Sequence, residues 1–243
     1  MITVQFHPNW PAAEQTVIES MAGDGAYRSQ FTTGISNGGL TAFPGGDRWR
    51  WESRLFSGRY DTQPATARPI YGVWNRHADV YGGAIRFGSS YLRLKPEAIE
   101  RSTFCFPDSA RDPADFGDRG ALPHLCRLAD VAELDPLDDY VEAHIHGPVT
   151  FAGDVDALVL DPSFAGTTVE AAAGRLGCPI EYHRGFRATS ADLDPAYRGA
   201  ETVALARRIA SELTPYALGE AARRYPPQEI KYVWHSLARF GRR

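Results

Sequence analysis

The sequence predicts an α+β fold: a mixed, largely antiparallel β core with an N-terminal helix and a C-terminal helical cap. Three observations carry that expectation. Between Arg68 and Asp161, short extended segments rich in β-branched and aromatic residues recur, and Gly, Pro or Asp closes each. Before and after that block, apolar residues recur at helical spacing. The composition is that of a globular chain: 243 residues, 43% hydrophobic, 12% aromatic and 23% charged, with a net charge of −4. A disordered chain would hold fewer apolar residues and more net charge, and a low-complexity chain far more than 23 Gly and 17 Pro.

Taken in order, the first expected element is an amphipathic helix. Pro11 suits a first helical turn, and Ala13, Val17, Ile18 and Met21 repeat at helical spacing before the stop at Gly23-Asp24-Gly25. AYRSQFTT (26–33) reads as a strand, GISNGGLTAFPGG (34–46) as a Gly-rich loop and RWRWESRLF (48–56) as a short helix. Strands follow in RPIYGVW, IRFGSSYLRL, STFCF, DYVEAHIH and DALVLD, a core of about five or six strands. A helix over 122–134 separates the third from the fourth. Beyond Asp161, TVEAAAGRLG reads as helix, IEYHRGF as one more strand, and ETVALARRIASEL, PYALGEAARRY and 227–240 as helices, the last with Ile230, Trp234 and Leu237 turned to the body. No internal repeat is present. The expected division is an α+β core over 1–165 and a mainly helical extension over 166–243 packed on it.

Charge and cysteine usage narrow the class further. No apolar run is long enough to span a bilayer, and MITVQFHPNW lacks the basic flank and apolar core of a signal peptide, so a cytoplasmic chain without a membrane partner is expected. Cys105, Cys126 and Cys178 are odd in number and widely spaced with no CxxC. That pattern predicts core residues, no disulfide-linked partner and no cysteine-based zinc site. The 24 Arg against two Lys fit GC-rich codon usage, and their placement is uneven. Between Ala26 and Arg101 there are 11 basic and 6 acidic residues, and between Pro107 and Asp161 there are 3 and 13. A basic first half suits an anionic ligand; the near-neutral total does not suit a duplex-DNA binder.

The chemically loaded segment is DDYVEAHIHGP. In a strand, Tyr140, Glu142, His144 and His146 share one face, while Val141, Ala143 and Ile145 share the other and face the core. Two chemistries suit the polar face. Glu142, His144 and His146 would form a Glu-x-His-x-His metal site. Alternatively, Glu142 alone would stabilise positive charge developing on a sugar ring. Upstream, Arg28 could clamp a phosphate, and the loop that follows brings the backbone amides of Asn37 and Gly38 within reach of an anion. Ser89, Ser90 and Tyr91 enter a middle strand after Gly88 and offer small hydrogen-bonding groups at a bend. There is no GxxxxGK[ST] and no GxGxxG after a strand, so P-loop and Rossmann readings are disfavoured.

Arg28, Ser89 and Glu142, separated by 61 and 53 residues, follow an order that resembles the Arg-Ser-Glu class of ADP-ribosyltransferases. The wider run of YRSQFTTGISNGGLTA, GGDRWRWESRLFSGRYD, RPIYGVWN, FGSSYLRLKPE and YVEAHIHGPV is similar to a bacterial family of unknown function. The transferase resemblance implies that class of fold and an NAD-dependent glycosyl transfer. Arg28, aided by Asn37 and Gly38, would hold the NAD phosphates. Ser89, Ser90 and Tyr91 would brace the nicotinamide-ribose pocket, and Glu142 would be the catalytic carboxylate. NAD would be a substrate, no metal would be needed, and ADP-ribose would pass to water or to an acceptor that is protein, nucleic acid or small molecule. The brace reads Ser-Ser-Tyr where the family has Ser-Thr-Ser. Tyr140 stands two before Glu142, where arginine-modifying members carry Glu and others Gln, which leaves the acceptor open. A metal-dependent enzyme and a non-enzymatic binding protein are the alternatives.

Overall fold

The structure, a computed structural model, describes residues 1–34 and 41–243. Eight strands form one sheet: β1 (Ile2–Phe6), β2 (Ile70–Trp74), β3 (Ser90–Leu94), β4 (Ser102–Phe106), β5 (Asp115–Gly117), β6 (Val141–Ile145), β7 (Val155–Leu160) and β8 (Ile180–Tyr182). Their spatial order is β8-β7-β3-β1-β2-β6-β4-β5. Every pairing is antiparallel except β7 with β8 at one edge. The fold is therefore α+β with a large, mostly antiparallel sheet, as the sequence predicts.

Helices cover both faces. On one face lie α1 (Val17–Asp24), α3 (Leu122–Val131) and α4 (Thr168–Ala173), whose Ile18, Leu125 and Ala172 join a single apolar core with Val4, Leu92, Ala143 and Leu158 of the sheet. On the other side, α5 (Ala200–Ile209), α6 (Pro215–Ala221) and α7 (Pro227–Phe240) build a second cluster around Trp234 that includes Tyr81, Ile85 and Leu137 from the first part of the chain. Ile230, Trp234 and Leu237 are fully buried there, as their spacing predicts. The C-terminal part also supplies β8 to the sheet, so it is more than a helical cover. The remaining long helix, α2 (Asp47–Leu55), is tied down by Glu52, whose carboxylate accepts from Arg68 at 2.6 Å with both side chains buried.

Three local expectations are corrected. The chain begins with a central strand, β1, ahead of the expected helix; ITVQF alternates apolar and polar residues, and all five are buried because the sheet is covered on both faces. Pro11 lies in a two-residue ribbon with Gln15–Thr16, and the helix starts only at Val17, because Thr16 and Glu19 form a reciprocal capping box. AYRSQFTT is not a continuous strand. Only Ala26–Tyr27 pair, with Val149–Thr150, and a short helical turn takes Gln30–Thr33. No helix of the described residues is long and apolar enough to cross a membrane.

Candidate active site

The alternation of β6 sends its two sets of side chains to opposite faces. Val141, Ala143 and Ile145 enter the main core, as expected. The polar set does not face bulk water: Glu142 is 8% exposed and His144 fully buried. The register explains their neighbours. Cys105 of β4 stands opposite Glu142 and Thr103 opposite His144, while on the other side β2 places Val73 and Tyr71 opposite the same two residues. One face of the sheet thus carries a buried polar strip.

An open cleft of about 140 Å³ adjoins that strip. Its floor comes from Gln5, Tyr71, Gly72 and Glu142, on three adjacent strands. A Cβ on Gly72 would lie 2.8 Å from the Thr3 carbonyl oxygen, so only glycine lets β1 and β2 close up beneath the cleft. Tyr27, Phe87 and Tyr140 add aromatic walls, and Arg28 and Arg48 add positive charge.

Glu142 is asymmetrically held. Oε1 accepts from the Ser109 N–H at 3.1 Å and from His144 Nε2 at 2.9 Å, with the Cys105 thiol 3.8 Å away. Among the described residues nothing hydrogen-bonds Oε2. Burial alone would raise the carboxyl pKa, but the His144 and Ser109 bonds and the charge of Arg48 overcome it and hold Glu142 below its ordinary value. The same burial, with the Glu142 charge beside it, pushes the Cys105 thiol far up.

The two cleft arginines differ. Arg28 lines the cleft but is exposed and already paired with Asp24 at 2.9 Å. Arg48 stands 4.7 Å over the Tyr71 ring, its Nε is buried without a hydrogen-bond partner, and no carboxylate of the described residues pairs with it. Of the two, Arg48 is therefore the one without a carboxylate ion-pair partner among the described residues. Sequence reasoning did not single it out, because only folding of α2 across β2 brings it to Glu142.

The serine brace lies elsewhere. Ser89 is buried, and its carbonyl accepts from His183 at 2.8 Å. The Ser90 hydroxyl accepts the Asp161 N–H, and the Tyr91 hydroxyl donates to the Val80 carbonyl. None of the three lines the cleft, because β1 separates β3 from β2 and β6. Asn37 and Gly38 lie outside the described residues. The expected Glu-His-His metal set is also rearranged. His146 is engaged by Tyr60 and Thr103, so the compact trio is Cys105, Glu142 and His144, whose ligand atoms lie within 4.8 Å of one another. Cys105 is a core residue as expected, with its thiol turned to this trio.

A search of curated proteins finds no match. A family model described as "Protein of unknown function (DUF3626)" matches residues 1–124 and 121–240.

Proposed function

Since the chain belongs to this family of unknown function, DUF3626, its activity has to be read from its own cleft, and we propose that it is an ADP-ribosyltransferase-like enzyme that uses NAD. The observation that carries this reading is how Glu142 is held: a buried carboxyl group with Oε1 engaged and Oε2 left for the cleft, between aromatic walls and two arginines. Such a group stabilises a ribose that becomes positively charged as the bond to nicotinamide lengthens. Arg48, with Arg28 at the rim, would meet the pyrophosphate, while Tyr27, Tyr71 or Tyr140 would flank the nicotinamide. The electron pair of the breaking bond leaves on nicotinamide. Water or the acceptor attacks the ribose and gives its proton to Glu142. The acceptor would be a protein, nucleic-acid or small-molecule nucleophile.

Nicotinamide release from NAD, followed chromatographically, tests the reading. Glu142→Gln should lower the rate by about 10²–10³, the loss typical of one preorganised electrostatic group, while NAD still binds. Failure of the wild-type protein to release nicotinamide, or equal turnover in the variant, ends it.

The Cys105–Glu142–His144 trio favours a second reading, a metal-dependent enzyme. A zinc-class ion there would displace the thiol proton and use sulfur, nitrogen and oxygen together. Cobalt(II) titration decides it: a sulfur-to-cobalt charge-transfer band, lost in Cys105→Ser, supports a metal centre, and its absence removes that reading.

A further inference from the structure

Four hydrogen bonds in series run from the cleft carboxylate to a residue outside the cleft. The Tyr60 hydroxyl lies 2.5 Å from His146 Nδ1, and His146 Nε2 lies 2.9 Å from Thr103 Oγ1. Thr103 Oγ1 lies 3.3 Å from His144 Nδ1, and His144 Nε2 lies 2.9 Å from Glu142 Oε1. Strand register sets this line, since β4 and β6 hold Thr103 opposite His144, and His146 follows two residues on with its N–H bound to the Arg101 carbonyl. The Phe56 ring meets both imidazoles edge-on at 5.2 and 5.4 Å, and Tyr60 stacks on His146, which fixes the ring planes.

The chemistry of the members leaves little freedom. A neutral imidazole carries one N–H and one bare nitrogen, and each hydroxyl has one hydrogen. Thr103, between two ring nitrogens, donates to one and accepts from the other. With both imidazoles neutral, only two arrangements keep all four bonds: every donor points toward Glu142, or every donor points away. In the second, His144 Nε2 is bare and Oε1 must supply the hydrogen, so Glu142 is protonated. The Ser109 N–H also points at Oε1, and a carboxylate oxygen takes two donors more readily than a carboxyl O–H oxygen does, which favours the first arrangement.

We propose that Thr103, His146 and Tyr60 are positioning residues, a tautomer lock that aims the His144 Nε2–H at Glu142 Oε1 and leaves Oε2 to the cleft. The lock itself rests on hydrogen-bond geometry; its effect on turnover rests on the NAD reading above.

Two measurements on the full chain test it. Nitrogen-15 NMR of histidine-labelled protein should show His144 and His146 both protonated at Nε2, and an Nδ1–H tautomer at either one overturns the lock. Thr103→Val removes the central hydroxyl at nearly constant shape. It should disturb both tautomers and lower kcat for nicotinamide release by about tenfold, less than the 10²–10³ expected for losing Glu142 itself. KM for NAD should hold, and Thr103→Ser should restore both readouts. Unchanged tautomers in Thr103→Val, or equal losses in the Val and Ser variants, also overturn it. If the wild type releases no nicotinamide, the NAD reading fails while the NMR result still decides the lock.

Discussion

Two buried carboxylate–histidine pairs sit on this sheet, and they differ in what is left over. In one, Glu142 and His144 meet at 2.9 Å, and every hydrogen bond from the described residues falls on one oxygen of the carboxylate. In the other, Asp161 and His183 stand 3.9 Å apart, and each polar atom has its own backbone partner. Asp161 accepts from the Ser163 and Phe186 N–H groups, one on each oxygen. His183 donates to the Ser89 carbonyl and accepts from the Gly185 N–H. The second pair is a closed latch between β3, the end of β7 and the C-terminal part of the chain. The first pair keeps an oxygen in reserve beside a cleft. Residue type does not separate the two pairs; unspent hydrogen-bonding capacity does.

The contrast is broken most sharply by removing each carboxylate in turn. Asp161→Ala strands two buried N–H donors and should cost about 3 kcal/mol of stability, at roughly 1–3 kcal/mol for each unsatisfied group. Glu142→Gln keeps an acceptor for Ser109 and His144, so its urea midpoint should stay near wild type while its loss appears in turnover. A Glu142→Gln variant as unstable as Asp161→Ala would make both pairs structural.

Acid should act on the whole set in one direction. Burial holds His183 below its ordinary pKa, as it does His146, at about 4, and His235, at about 3. In the range between folded and unfolded values the unfolded chain binds more protons. The contribution of these histidines is thus complete above their ordinary value of 6.5 and is lost as the pH falls through the folded values. Glu142 adds to the same trend, because its folded pKa is also depressed. Melting temperature should be flat between about pH 7 and 8, fall steadily below 6.5, and fall again at alkaline pH, where the unfolded chain loses the thiol proton that burial holds on Cys105. His235 sharpens the point, since both ring nitrogens are buried without a partner among the described residues. His235→Leu should raise stability by about 1 kcal/mol at neutral pH and flatten part of the acid slope. A steeper slope in that variant would mean that the imidazole is satisfied.

Much of this was legible before folding. Five of the six strands from Ile70 to Leu160 and the final helix read correctly because alternation and helical spacing are local properties, while the three-residue β5 was not expected. The polar face of DYVEAHIH, with Glu142 on it, follows from the same two-residue period. β1 was legible too, in the alternation of ITVQF, although a helix was expected first. What could not be read is which strands lie side by side. Cys105 meets Glu142 only because β4 pairs with β6 in one register, and Arg48 reaches Tyr71 only because α2 crosses β2. Ser89 is separated from Glu142 by two strands that the chain order does not reveal.

The smallest predicted effect bears most directly on that last point. If the motif order alone dictated function, Ser89 would brace bound NAD, and Ser89→Ala would weaken NAD binding with little change in the free protein. In the folded chain its carbonyl serves the His183 latch, while its hydroxyl is buried without a partner among the described residues. Alanine keeps the carbonyl and removes an unsatisfied group, so stability should hold or rise by less than about 1 kcal/mol. KM for NAD and the rate of nicotinamide release should both stay within about twofold of wild type, a difference of about 0.4 kcal/mol. Arg48→Met, at the cleft itself, should raise KM in the same assay. A large rise in KM with Ser89→Ala and none with Arg48→Met would reverse the assignment, placing the ligand on the latch side of β1 and leaving the Glu142 cleft without it.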